Sequence, residues 1–182
     1  MSNELAGKRI AFLVSNSGVE QAELTSPWEA LAQAGAVPTL IAPEDGIVQT
    51  VNHDVNAGEI FHPDLHIEHA DPDAFDALVI PGGVANPDRL RTVPEAVSFV
   101  EHFAAAGKPI GSICHGPWML VEADVVRGRT LTSWPSLRTD IRNAGGDWQD
   151  EPVVVCDKGF ALVTSRKPDD LTDFNKALIA TF

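Results

Sequence analysis

Short charge-free runs closed by small-residue turns constrain this chain more than any other feature. Lys8-Arg9-Ile10-Ala11-Phe12-Leu13-Val14 ends at Ser15-Asn16-Ser17-Gly18, Ala77-Leu78-Val79-Ile80 at Pro81-Gly82-Gly83, and Pro109-Ile110-Gly111-Ser112-Ile113 at Cys114. Apolar runs of this length suit strands buried on both faces, as in a parallel sheet. Helical patterns separate them. Leu24, Pro27/Trp28 and Leu31 recur at helical spacing between Glu20 and Ala34, and Gly35 stops that helix. Pro94 opens a second helix that Gly107 closes, Trp118–Ala123 is a third, and Pro135–Ala144 is stopped by Gly145-Gly146. Val37–Ala42 and a stretch around Arg129–Ser133 add strands. Pro152–Cys156 and Phe160–Thr164 pair as a hairpin, and Pro168-Asp169-Asp170 opens the last helix. Residues 47–71 break the rhythm with short strands and turns. The alternation predicts an α/β fold with a mostly parallel sheet covered by helices on both faces. Its 182 residues fit a single domain, 1–182.

Ligands of such sheets bind beyond the carboxyl ends of the strands. Three stretches converge there: Ser15–Glu20, Pro81–Asp88 and Cys114–Pro117. Cys114 ends a strand and a helix begins just after it, the strand–turn–helix elbow that lifts a nucleophile above a sheet edge. Gly111, Ser112 and Gly116 supply the room such a turn needs, and the helix N-terminus is expected to favour thiolate. Cys156 follows Val153-Val154-Val155 without an elbow and reads as structural. His115 can serve as base or cationic partner of the sulfur, or simply line the pocket; it is the last histidine in the chain, which excludes a downstream catalytic histidine. Glu20 starts a helix at the same edge, where a protonated carboxyl could hydrogen-bond the sulfur or merely cap the turn. Asp88 could orient His115, or be a solvated loop acid. The amides around Gly82 and Gly83 could line an anion pocket, and Trp134 could wall it. His62, His66 and His69, with Asp64 and Glu68, read as a polar strand face rather than a metal site, and no cofactor is expected.

A formal net charge of −13 argues against nucleic acid or an anionic membrane as partner. The first residues carry no apolar signal core and no run could span a bilayer. Two cysteines make no disulfide framework, so a cytoplasmic setting is expected.

Glu20, Asp76-Ala77-Leu78-Val79-Ile80-Pro81-Gly82-Gly83, Lys108-Pro109 with Ser112-Ile113-Cys114-His115-Gly116-Pro117, Arg127-Gly128-Arg129 and Thr132-Ser133 together form a specific signature. On these residues the chain resembles, end to end, the PfpI-type intracellular peptidase and general stress protein family, in the superfamily of the Parkinson-disease-associated deglycase. The resemblance implies a flavodoxin-like three-layer sandwich, related to class I glutamine amidotransferases, with Cys114 as nucleophile and Glu20 as the protonated partner of the sulfur. It implies an oxyanion pocket made by the amides of Gly83 and His115, with Gly82, Gly116 and Trp134 around it. It further implies a homodimer, or a larger oligomer of dimers, in which Asp88 of a neighbouring subunit orients His115. The sequence departs from the family pattern in having Asp rather than Glu at 88, one more residue in the preceding loop, and Trp134 in place of a tyrosine. The expected activity is thiol chemistry on small or protein-attached carbonyls, of deglycase or glyoxalase type. Cysteine peptidase activity and a non-catalytic redox-sensing or chaperone role are the alternatives.

Overall fold

A computed structural model describes residues 3–182 of the chain. In chain order the strands and helices are β1 (Arg9–Leu13), β2 (Ser17–Glu20), α1 (Gln21–Gln33), β3 (Val37–Ala42), β4 (Val48–Asn52), β5 (Asn56–Phe61), β6 (Leu65–His66), β7 (Ala77–Ile80), α2 (Ala85–Leu90), α3 (Pro94–Ala105), β8 (Ile110–Ile113), α4 (Pro117–Glu122), β9 (Thr130–Leu131), α5 (Arg138–Asn143), β10 (Asp147–Trp148), β11 (Val153–Cys156), β12 (Leu162–Ser165) and α6 (Leu171–Thr181). The main sheet has seven strands in the order β11-β12-β8-β7-β1-β3-β6. Only its edge pair β11–β12 is antiparallel; the other pairings are parallel. A separate three-stranded ribbon, β2-β4-β5, accounts for the break in rhythm after residue 47.

Both faces of the main sheet are buried, which explains its continuous apolar runs. Within β1 successive side chains go to opposite faces. Ile10 and Phe12 join Leu24 and Leu31 of α1 and Phe174 and Leu178 of α6 in one core. Ala11 and Leu13 join Phe99 and Phe103 of α3 and Met119 and Leu120 of α4 in the other. The flavodoxin-like α/β sandwich expected from the sequence is therefore the observed fold.

Differences from the sequence reading lie in short elements. Ser17–Glu20 is a strand, because its backbone pairs with β4 at the edge of the ribbon. Asp88 sits in helix α2, where a loop was expected. Asn86, in the same helix, is fully buried; its side chain accepts the Ser15 N–H at 2.7 Å and donates to the Pro81 carbonyl at 2.9 Å, tying α2 to the ends of β1 and β7. Such tertiary bonds leave no local sequence pattern. In the histidine-bearing segment, His62 Nδ1 meets the Gly46 carbonyl, Asp64 accepts the Leu40 N–H, and His66 Nδ1 accepts the Glu68 N–H. His66 thus caps a local turn, whereas His62 and Asp64 tie the segment to the stretches around Gly46 and Leu40. No described helix is long and apolar enough to cross a membrane.

Candidate active site

β8 delivers Cys114 to the carboxyl edge of the sheet, and the residue turns the chain with φ of 61°. A left-handed conformation is costly for a side chain with a Cβ and is held here from both sides. The Cys114 N–H donates to the Ser165 carbonyl at 3.0 Å, and its own carbonyl accepts the Trp134 N–H at 2.8 Å. Helix α4 starts three residues later, close against the sheet. A Cβ at Gly116 would lie 2.5 Å from the Ile80 carbonyl oxygen and 2.6 Å from Ser112 Oγ. The Gly116 N–H is already given to the Ile113 carbonyl. Gly116, expected around the oxyanion pocket, is thus a packing residue of the elbow with its amide already bonded.

The sulfur of Cys114 lies 3.2 Å from His115 Nδ1, so adjacent residues do meet across the elbow. The imidazole is fixed by stacking against Trp134, with ring centroids 5.8 Å apart and planes at 24°, and by Ser136 Oγ 3.3 Å from Nε2. Burial holds its pKa below the ordinary histidine value, against an opposing pull from the Asp54 carboxylate. A neutral imidazole beside a thiol can accept its proton.

The carboxyl beside the sulfur belongs to Glu23, not Glu20. Glu23 is fully buried in the first turn of α1; its Oε2 accepts the Gly82 N–H at 2.8 Å, and its Oε1 is buried without a hydrogen-bond partner. A Cβ at Gly82 would meet Glu23 Oε2 and Cys114 Cβ at once, at 2.5 and 2.7 Å, so the three residues abut. Burial pushes the Glu23 pKa up to about 8, against the opposing pull of the adjoining Cys114 thiol and of the Gly82 amide. Glu23 therefore carries a proton at neutral pH. Glu20 turns the other way. Its two oxygens accept the His53 and Asp54 N–H groups at 2.9 and 3.1 Å, which secures the loop between β4 and β5. The correction has a backbone cause: β2 carries the chain to Glu20 as an extended strand paired with the ribbon, and only the turn of helix that follows swings Glu23 inward.

Two further expectations change. The Cys114 thiol is pushed up rather than down, first by burial and then by the charge Glu23 carries when ionised. The Gly82 amide is occupied by Glu23, which leaves the amides of Gly83 and His115 facing the sulfur. Gly83 takes φ of 81° with its α-carbon pressed against the Gly18 carbonyl, where no Cβ would fit. Asp88 is exposed on α2, and the side-chain hydrogen bonds of His115 within its own chain go to Cys114 and Ser136 instead. Cys156 is buried and free at the end of β11, as its sequence context suggested.

A cavity of about 290 Å³ opens over the thiol, bordered by Glu20, Glu23, His53, Asp54, Trp134 and Pro168. His53 and Asp54 escaped the sequence reading. Their only local signal is position: they fill the tip of the β4–β5 hairpin, in Val51-Asn52-His53-Asp54-Val55-Asn56, and both adopt positive φ, 55° and 63°.

A buried thiol on a left-handed strand-to-helix turn, over a parallel sheet and flanked by a histidine and a protonated glutamate, defines an α/β sandwich of the cysteine-elbow class. Within that class the chain belongs to the DJ-1/PfpI family, whose model matches residues 8–181. It is 40% identical over 174 residues to General stress protein 18 of Bacillus subtilis, covering 96% of this chain and 97% of that protein. It is 41% identical over 169 residues to Protein/nucleic acid deglycase 2 of Escherichia coli, covering 93% and 94%. Among solved structures, a two-domain protein from Anabaena variabilis with DJ-1/ThiJ/PfpI-like and ferritin-like domains superposes with a TM-score of 0.86 at 34% identity. That alignment covers 95% of this chain and 47% of the longer one, so the chain spans under half of that protein.

Proposed function

We propose that this protein is a cysteine-dependent enzyme acting on reactive carbonyls or glycated groups, with Cys114 as nucleophile. The observation that carries the reading is the contact between Sγ of Cys114 and Nδ1 of His115 at the floor of an open cavity. His115 takes the thiol proton as the sulfur adds to an aldehyde carbon, forming a hemithioacetal. The new alkoxide sits against the amides of Gly83 and His115. With a dicarbonyl such as methylglyoxal, a proton then moves from the sulfur-bearing carbon to its neighbour, giving a thioester. Water cleaves that thioester to a hydroxy acid and regenerates the thiol. Glu23, with a pKa near 8, can hold or release a proton in that exchange. The deglycase name of the Escherichia coli relative agrees with this chemistry. Asp88 of a second copy is our candidate for orienting His115. Its exposure suits a role across a homodimer interface, and the exposed apolar side chains of Val55, Val84 and Trp134 are further candidates for that contact. Methylglyoxal consumption by wild type and Cys114→Ser tests the assignment: the variant should lose at least about a hundredfold in kcat/KM, and equal rates would sink it.

A redox-sensing role is the second reading, favoured by one observation: the amides of Gly83 and His115 and the carboxyl of Glu23 surround the sulfur, where they could hold the oxygens of a sulfinate. Mild peroxide followed by mass spectrometry should then add oxygen at Cys114. An unmodified Cys114 would remove this reading.

A further inference from the structure

The Cys114 cavity carries acids without a free cation. Glu20, Glu23 and Asp54 border it together with His53, and no lysine or arginine among the described residues does. The nearest basic stretch in sequence to its Pro168 wall is already neutralised: Arg166 pairs with Asp150 and Asp170, and Lys167 with Asp169. Glu23 contributes no charge while protonated, and Glu20 is buried with both oxygens bound to the hairpin loop. Asp54 differs from both. It is exposed at the cavity mouth, and its Oδ1 accepts the Val84 N–H at 2.7 Å. That bond also joins the hairpin tip to the residue after Gly83, whose amide faces the sulfur. Asp54 holds a left-handed backbone of its own, φ 63°, clamped by the Glu20 carboxylate.

We propose that Asp54 is the specificity-determining residue of this site: its carboxylate, fixed at the mouth by Val84 and Glu20, admits uncharged and cationic electrophiles to Cys114 and disfavours carboxylated ones such as 2-oxo acids. The inference deepens the carbonyl reading above and rests on it only for the identity of the substrate. The charge selection itself acts on any electrophile that reaches the sulfur.

Two alkylating agents of nearly equal size isolate that charge. Iodoacetamide is neutral and iodoacetate anionic, and with each the thiolate forms an S–C bond as iodide leaves. Rates at Cys114, separated from Cys156 by peptide mass spectrometry, give an iodoacetate-to-iodoacetamide ratio, which is divided by the same ratio for a small free thiol. The wild-type ratio should lie below one and rise with salt, because an exposed charge is screened. Asp54→Asn keeps an oxygen for the Val84 N–H and removes the charge; it should raise the ratio about three- to tenfold while iodoacetamide reacts within about twofold of wild type. An unchanged ratio in Asp54→Asn, both rates rising together, or a salt-independent wild-type ratio would each overturn the proposal. If the protein turns over carbonyls, kcat/KM for glyoxylate relative to methylglyoxal should rise by the same factor. The alkylation test needs no turnover, so failure of the carbonyl reading and failure of charge selection give different results.

Discussion

Cys114 spends conformational energy to stand where it does. A non-glycine residue in the left-handed region costs on the order of 1 kcal/mol or more, so Cys114→Gly should be more stable than Cys114→Ala by about that amount. Thermal unfolding of the two variants, both without the thiol, checks this. Glu23 makes a second prediction at the same scale. Its folded pKa, about 8, lies above the ordinary 4.5, so between those values the folded state binds more protons than the unfolded one. The stability Glu23 contributes is complete below about pH 4.5 and is lost as pH rises through about 8. Denaturant unfolding at pH 5, 7 and 8.5 should show a decline on the order of a few kcal/mol, and Glu23→Gln should flatten it. The thiol and its histidine were legible in the sequence because an elbow has a local pattern: an apolar strand, small residues, a helix start. Glu23 was not. Two acids three residues apart at a helix entrance both qualify in sequence, and the choice is made by where β2 releases the chain. Asp54 was hidden for a stronger reason, since it reaches the site only through the pairing of the ribbon.

Strand β8, like β7 and β12, is buried along its whole length. A Cβ at Gly111 would overlap Leu178 Cδ2 of α6 and approach Phe182 and Phe174 at 3.4 and 3.5 Å. Helix α6 therefore lies directly on the strand that ends in the nucleophile. Gly111→Ala should cost roughly 1–3 kcal/mol through overpacking, read as a lowered unfolding midpoint, and should slow Cys114 alkylation little if α6 alone gives way. The long elements were readable because burial on both faces leaves unbroken apolar runs and because glycines mark the helix ends. Strand β9 falls within the strand expected around Arg129–Ser133, whereas β2 and β10 were missed, for they consist of four and two residues and owe their assignment to partners distant in sequence.

For the whole molecule, a site shared between copies has a stoichiometric signature. If Asp88 serves the partner's His115, Cys114→Ser and Asp88→Ala homodimers should each be impaired. Mixing them after subunit exchange should restore up to about a quarter of wild-type activity, because half of the dimers then contain one intact site of two. No recovery would confine the site to one chain. The net charge of −13 adds that copies repel at low salt, so sedimentation should show stronger association as ionic strength rises.

The β2-β4-β5 ribbon hydrogen-bonds within itself and forms no ladder with the main sheet, yet it carries Glu20, His53 and Asp54 to the cavity mouth. Reactivity and selectivity are therefore separable parts of this architecture. The sheet fixes the nucleophile, whereas the hairpin tip can be rewritten over a few residues without disturbing the strand that bears it. Exchanging residues 52–56 for the corresponding turn of a relative is accordingly a route to new substrate preferences with Cys114 left on its own strand.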